Sequence, residues 1–221
     1  MKTKHFASVA VLLFLVGSIV LSFQSCKPDE EEVPCDTCMV AYKPNIYLYP
    51  VQTEQLKVEV IFPEGGRIIA SEPSYSHGWD VEVEPNGRID GKYDFLFYES
   101  RQPNRWQRSN GWVVSQTDVA RFFDENLSSY GFSKAETADF INWWTQRLRD
   151  YPYYVVYPQT NTQIDPLIRL RIFPEPDKVL RLFYLIEGVA KRPAHLLPAP
   201  AITAFERKGF VVAEWGVLMQ E

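Results

Sequence analysis

Apolar and polar residues alternate along much of the chain, and a period of two residues is typical of half-buried β-strands. Ile46 and Leu48, for example, alternate with Tyr47 and Tyr49. Such patterns predict strands at residues 43–50, 56–62, 79–84, 93–99, 153–157, 167–173, 179–186 and 210–217. The first half of the chain is therefore expected to form an antiparallel β unit.

The middle of the chain has a different period, in which apolar residues recur at the spacing of an α-helix. Thr117 can cap a helix that ends at Gly131, and Ser133 with Glu136 forms a capping box for a second helix that extends to Leu148. Strands, two helices and further strands predict an α+β fold. We expect a mainly antiparallel β-sheet, sandwich-like in its N-terminal half, with a helical hairpin packed on the sheet, all in one globular domain at residues 43–221.

The N-terminus has the three parts of a secretory signal peptide, predicted at residues 1–25. Lys2 and Lys4 precede an apolar segment, residues 6–23, and Leu21-Ser22-Phe23-Gln24-Ser25-Cys26 resembles the lipobox of bacterial lipoproteins. The resemblance implies that Cys26 is acylated, with palmitate among the acyl chains, and becomes the first mature residue. Two or more acyl chains anchor a protein stably to a bilayer. An uncleaved helical anchor and a secreted protein with an unmodified cysteine are the alternatives.

An acidic stretch follows this cysteine. Residues 27–32 read Lys-Pro-Asp-Glu-Glu-Glu, which resembles the signal that sends some lipoproteins of Gram-negative bacteria to the cell surface. A block of like charges also makes a solvated, self-repelling tether, and the two interpretations are compatible. We therefore predict a lipidated tether at residues 26–42 and a location at the outer membrane, on its outer surface.

Overall charge argues against one class of partner. The chain has 28 acidic and 23 basic residues, a formal net charge of −5, and no basic tail. Proteins that bind nucleic acids usually carry a basic patch or an excess of positive charge. We therefore expect no nucleic-acid partner.

The chain has a second candidate for cysteine chemistry in Cys35-Asp36-Thr37-Cys38. This spacing is compatible with a small disulfide loop, with half of a zinc site or with a redox motif. A disulfide between Cys35 and Cys38 suits an oxidising envelope. A zinc site would need two more ligands, but Cys26 is assigned to the lipid, and His77 and His195 are distant in the sequence, so no metal or cofactor is predicted.

Two glutamates lie within apolar strands. Glu99 shares a strand face with Phe95 and Phe97, and Glu214 is surrounded by apolar residues on both faces of its strand. A buried pair of carboxyl groups is the acid and base of many glycosidases, for which Trp79, Trp106 or Trp215 would then be sugar platforms. The alternative is that each glutamate forms a structural ion pair.

Three arginines are candidates for anion binding. If residues 167–173 and 179–186 form a hairpin, Arg169, Arg171 and Arg181 lie on one side of it, with Glu187 beside them. Guanidinium groups hold carboxylates and phosphates through paired hydrogen bonds. The alternative is a solvated face of local ion pairs.

Several segments together resemble a known bacterial family. They are KPNIYLYP, GWDVEVEPNG, YDFLFYE, GFSKAETADFINWW, FPEPDKVLRLF and GFVVAEWG, in this order from residue 43 to residue 216. The family is an uncharacterised envelope or lipoprotein family marked by the motif K-P-x-I-Y-L-Y-P. The resemblance implies one continuous unit, and it implies no activity and no site residues.

The sequence lacks the common catalytic motifs, among them HExxH, GxSxG and a phosphate-binding glycine loop. We therefore expect a lipid-anchored envelope protein whose domain binds or scaffolds another envelope protein or a glycan without catalysis. The alternative is a hydrolase of carbohydrate or peptidoglycan that uses Glu99 and Glu214.

Overall fold

The computed structural model of the protein describes residues 38–195 and 198–219. The chain divides into two compact units, Met1–Pro34 and Cys35–Glu221, and all the described residues belong to the second. The predicted signal peptide and most of the predicted tether lie outside the described residues.

The eight predicted strands and two predicted helices occur in the predicted order, together with two further strands and one further helical turn. The strands are β1 (Cys38–Tyr49), β2 (Glu54–Ile61), β3 (Arg67–Glu72), β4 (Trp79–Val83), β5 (Leu96–Pro103), β6 (Trp112–Ser115), β7 (Tyr153–Thr160), β8 (Arg169–Phe173), β9 (Lys178–Val189) and β10 (Val211–Met219). The helices are α1 (Val119–Tyr130), α2 (Lys134–Trp144) and the single turn α3 (Asn161–Ile164). The predicted α+β class is confirmed.

The strands form two sheets. The larger has seven strands in the order β3-β5-β1-β10-β9-β7-β6, and the smaller has three in the order β4-β2-β8. Neighbouring strands are antiparallel except for β9 and β10, which are parallel. A parallel pair needs a long connection, and here residues 190–210 supply it.

The two faces of the large sheet are both covered. One face packs on the small sheet through alternating apolar residues such as Leu48, Val58 and Val212. The other face packs on α1 and α2, through residues such as Phe123 and Trp215. Because both faces of the sheet are covered, β9 and β10 are apolar at nearly every position. A strand that is buried on both faces has no need for alternating apolar and polar residues.

The helical hairpin is built as its end signals predict. Gly131 ends α1 in the left-handed conformation with φ +106°, and Ser133 and Glu136 form the capping box of α2. α2 ends at Trp144, one turn earlier than predicted. In the part of the chain that the structure describes, no helix is long and apolar enough to span a membrane.

Three expectations about individual elements are wrong. β1 begins at Cys38, so residues 38–42 of the predicted tether are part of the first strand. The sequence does not predict β3 and β6, because apolar and polar residues do not alternate clearly in either strand. Both are edge strands of the large sheet and are only partly buried.

The third correction concerns the hairpin expected at residues 167–186. β8 pairs with β2 in the small sheet, whereas β9 pairs with β10 and β7 in the large one. The residues between them cross from one sheet to the other, so that Ile172 and Phe183 belong to different sheets and share the core between them.

Candidate functional site

The backbone is irregular at Lys43-Pro44, in the middle of β1. The register of β1 shifts there against both neighbours, between Tyr42 and Asn45 with β10 and between Ala41 and Asn45 with β5. Lys43 adopts φ +49°, the left-handed region that a lysine rarely occupies. Strain of this kind is often found at functional sites, where surrounding contacts maintain it.

The bulge turns the Lys43 side chain toward a group of aromatic rings. Its ammonium nitrogen, Nζ, lies 5.0 Å from the ring centroid of Phe95, 4.9 Å from that of Phe97 and 4.5 Å from that of Trp143. Cations at this distance are attracted to the ring faces. Arg147 lies on Trp143 as well, with its guanidinium carbon 3.7 Å from the centroid.

No hydrogen bond or ion pair joins the Lys43 ammonium to another of the described residues. The side chain is half-buried, and burial lowers its pKa although Asp139 and Glu99 act in the opposite direction. The three N–H donors of the Lys43 ammonium therefore make no hydrogen bond to a described residue, and they lie beside three aromatic rings. This is the arrangement expected of a group that receives a ligand.

Two carboxyl groups flank this lysine. Glu99 accepts the backbone N–H of Lys43, and burial raises the pKa of its carboxyl group despite that hydrogen bond and the nearby ammonium. Asp139 on α2 accepts the Tyr47 hydroxyl at 2.9 Å, and burial raises its pKa too. Burial thus works against the charged form of all three groups at this point of the surface.

Two grooves open on either side of the half-exposed Trp143, which lines both, and Lys43 lines the first of them. The first has a volume of about 440 Å³. It is lined by Lys43, Glu72, Lys92, Tyr93, Asp94, Phe95, Phe97 and Trp143. The second, of about 320 Å³, is lined by Tyr42, Glu99, Trp143, Trp144, Arg147 and Met219. We call the two grooves together with Lys43 the Lys43 cleft.

The structure separates the two glutamates expected to form a catalytic pair. Tyr98 donates its hydroxyl to Glu214 at 2.8 Å, so both side chains lie between the two sheets. Glu99 follows Tyr98 in the strand and faces the opposite side, toward the helices. The large sheet lies between the two carboxyl groups, and no single cleft holds both.

Glu214 instead forms a buried ion pair, the structural alternative considered above. Its Oε2 accepts Nε of Arg181 at 2.5 Å, and neither side chain is more than 1% exposed. Burial lowers the pKa of Arg181, but Glu214, Tyr98 and Asp165 together outweigh burial, so the pKa is raised. Arg181 also donates Nη1 to Asp165 at 2.7 Å and to the Ile168 carbonyl at 2.5 Å.

The three predicted anion-binding arginines do not share a face of one hairpin, but all three line one further cleft, between β8 and β9. Arg171 is bound to Glu59 on the neighbouring strand β2. Arg181 lies at the bottom of the cleft, whereas Arg169 is exposed on the small sheet. Glu187 is paired with Arg108 and not with this group.

The three tryptophans proposed as sugar platforms are all in the core. Trp79, Trp106 and Trp215 are at most 5% exposed, so none can stack on a ligand. The sequence alone did not show that these three tryptophan side chains are buried.

The predicted cysteine sites are only partly described. Cys38 is disulfide-bonded. Cys26 and Cys35 lie outside the described residues, so lipidation of Cys26 and the pairing of Cys35 with Cys38 stay predictions. Among residues 38–195 and 198–219, no cluster of three histidine, cysteine, aspartate or glutamate side chains is placed to hold a metal ion.

The Lys43 cleft itself was missed from the sequence. The alternation predicts only that Lys43 and Pro44 begin a strand, and a basic residue beside a proline carries no signal of burial. The one available hint was that Lys43 opens the KPNIYLYP segment.

Comparison with known proteins found no matching family, no matching curated protein and no matching solved structure. The resemblance to the K-P-x-I-Y-L-Y-P family stays a prediction. Arguments about function therefore rest on the geometry of this chain.

Proposed function

We propose that this protein is a lipid-anchored component of a bacterial envelope, whose domain binds a glycan in the Lys43 cleft without catalysis. The observation that carries the binding proposal is the half-buried ammonium of Lys43, which lies over three aromatic rings, lines the larger groove and has no hydrogen-bonding partner among the described residues. This ammonium can donate to a ligand in the groove, and the partly desolvated surroundings strengthen such a hydrogen bond.

The lining of the cleft favours a glycan over a strongly charged ligand. The larger groove combines the rings of Tyr93, Phe97 and Trp143 with two lysines and two acids, so its charges balance. A sugar offers an apolar C–H face, which suits aromatic rings. Its hydroxyl groups both donate and accept, so they suit charged side chains of either sign.

A paired-carboxylate hydrolase has no support in this geometry. Such enzymes place the two carboxyl groups within roughly 5 to 10 Å of each other across one cleft. Glu99 and Glu214 face opposite sides of the large sheet, and Glu214 is held by Arg181.

A glycan array tests the binding proposal. The fluorescently labelled full chain, in detergent, is applied to the array as wild type, as Lys43→Met and as Lys178→Met. Lys178 is an exposed lysine at the start of β9 and serves as the matched control. We expect glycans that are retained by the wild type and by Lys178→Met and lost by Lys43→Met.

Two results would contradict glycan binding in the cleft. One is that no glycan is retained by the wild type, and the other is that Lys43→Met retains the same glycans equally well. A peptide array run in parallel distinguishes a protein ligand, because peptides bound by the wild type and lost by Lys43→Met would assign the cleft to an envelope protein instead.

The anchor is tested separately. The apolar N-terminal segment, its lipobox-like end and the acidic stretch after Cys26 support a surface lipoprotein. Cells fed labelled palmitate should incorporate it into the wild type and not into Cys26→Ala. Equal labelling of the two would refute lipidation at Cys26, and protection of the wild type from protease added to intact cells would refute surface exposure.

A further inference from the structure

We propose a second ligand site, independent of the Lys43 cleft, in which the cleft between β8 and β9 binds a monocarboxylate with an apolar body. This cleft has a volume of about 620 Å³, which falls in the range of small-molecule sites. It lies where the small sheet separates from the large one, on the side of the large sheet opposite α1 and α2.

The first support is a buried donor at the bottom of the cleft. Arg181 lines the cleft and is 1% exposed. Its Nε and Nη1 bind Glu214, Asp165 and the Ile168 carbonyl, but Nη2 has no hydrogen-bond partner among the described residues. A guanidinium can donate five hydrogen bonds, so Nη2 keeps an unused donor at the bottom of the cleft.

The second support is an available cation at the rim. Arg169 is exposed and lines the same cleft, and its guanidinium makes no ion pair or hydrogen bond with another described residue. Arg171 is neutralised by Glu59, and Arg181 by Glu214. Arg169 is therefore the group that can hold an anionic ligand through paired hydrogen bonds.

The charges around the cleft disfavour a ligand with more than one negative charge. Asp165 and Glu175 line it as well, so they repel a phosphate dianion more strongly than a single carboxylate that contacts Arg169. The remaining lining is apolar, with Leu170, Ile172 and Val179 on the inside and Phe173 at the rim, 73% exposed. An apolar body attached to the carboxylate would cover this ring and lower its exposed area.

Three small probes of similar size separate the contributions. Ligand-detected NMR with the full chain in detergent measures binding of 3-phenylpropionate, of its neutral amide and of phenylethyl phosphate. We expect 3-phenylpropionate to bind best. The amide should bind about tenfold or more weakly because it lacks the charge-assisted contact to Arg169, and the phosphate should bind more weakly because Asp165 and Glu175 repel its second charge.

Substitution of the rim arginine locates the site. Arg169→Ala should weaken binding of 3-phenylpropionate about tenfold or more. Arg149→Ala, at an exposed arginine after α2 that does not line this cleft, should leave binding unchanged. Both positions are on the surface, so both variants should fold, and circular dichroism verifies that they do.

The proposal is overturned if 3-phenylpropionate does not bind the wild type, if its amide binds equally well, or if Arg169→Ala binds it like the wild type. Equal loss in Arg149→Ala would also overturn it, since that loss would reflect overall charge. None of these results bears on glycan binding, which depends on Lys43.

Discussion

Arg181 and Glu214 are charged residues in a space that is otherwise filled by apolar side chains. Taking two charges out of water costs free energy, and their attraction offsets that cost only when geometry and further hydrogen bonds are good. Here Tyr98 and Asp165 supply such bonds. The pair joins the neighbouring central strands β9 and β10, and it fixes which residues of the parallel pair lie opposite each other.

Removing one member of this pair should destabilise the domain far more than removing all of it. We expect Glu214→Gln to lower the free energy of unfolding by about 3–5 kcal/mol, because the buried guanidinium loses its closest countercharge. The triple variant Arg181→Met, Glu214→Leu, Tyr98→Phe should recover most of that loss, since no buried charge is left without a countercharge and only the Ile168 carbonyl and the half-exposed Asp165 lose a hydrogen bond. Urea denaturation measures both, and a triple variant less stable than Glu214→Gln would contradict this account.

The Lys43 cleft should make stability depend on pH. Burial raises the pKa of Glu99 above its ordinary value of 4.5, so the folded protein holds this proton to a higher pH than the unfolded chain does. The contribution of Glu99 to stability is therefore complete below about pH 4.5 and is lost as pH rises through its folded pKa.

Glu99→Gln should remove this dependence. We expect the variant to be more stable than the wild type at pH 7 and equal to it at low pH, as measured by thermal unfolding across the range. The exposed Glu206→Gln serves as the control. A difference between Glu99→Gln and wild type that is the same at every pH would show that the effect is steric and not electrostatic.

At the scale of elements, the helical hairpin depends on one glycine. The N–H of Gly131 bonds the carbonyls of Leu127 and Ser128, which closes the end of α1. A Cβ at this position would lie 2.9 Å from Cβ of Phe205 and 3.0 Å from its carbonyl oxygen. Phe205 belongs to the long connection between β9 and β10, whose backbone bonds Tyr130 beside the glycine.

Gly131→Ala should therefore lower the free energy of unfolding by about 1–2 kcal/mol from the left-handed conformation alone, and by more from the contact with Phe205. Ser128→Ala, at an exposed position of the same helix, should change it little. Guanidinium denaturation of both variants gives the comparison, and equal stability of Gly131→Ala and the wild type would exclude a requirement for glycine here.

At the scale of the whole molecule, the large sheet has a protected centre and two open edges. β1, β10 and β9 are paired on both sides and covered on both faces, whereas β3 and β6 are paired on one side only. Hydrogen exchange requires opening of the backbone hydrogen bond, and strands in the core open least often.

We expect the amides of β10 to exchange more slowly than those of β3 and β6 by a large factor, detected by mass spectrometry of peptic fragments. β4, an edge of the small sheet, should behave like the other edges. Equal protection of β3 and β10 would mean that the domain opens only as one unit.

The sequence by itself determined most of the elements and the fold class. Alternation identified the strands whose two faces differ, and local end signals such as Gly131 and the Ser133 capping box identified the hairpin, because these depend on residues close in the chain. β3 and β6 were not predicted because these edge strands bury few side chains, so their sequences need no alternation of apolar and polar residues. The buried Ser100 and Gln102 of β5 are polar and hydrogen-bonded, so they also carry no apolar signal.

Only the tertiary structure decided which chemical groups meet. Glu99 and Glu214 look alike in the sequence, yet one faces the helices and the other faces Arg181. Arg169 and Arg181 line one cleft from strands of two different sheets, and not from one hairpin. The rings that contact Lys43 include Phe97 on β5 and Trp143 on α2. Strand pairing between distant segments sets these contacts, and periodicity within a segment shows which residues share a face but not which strand lies beside it.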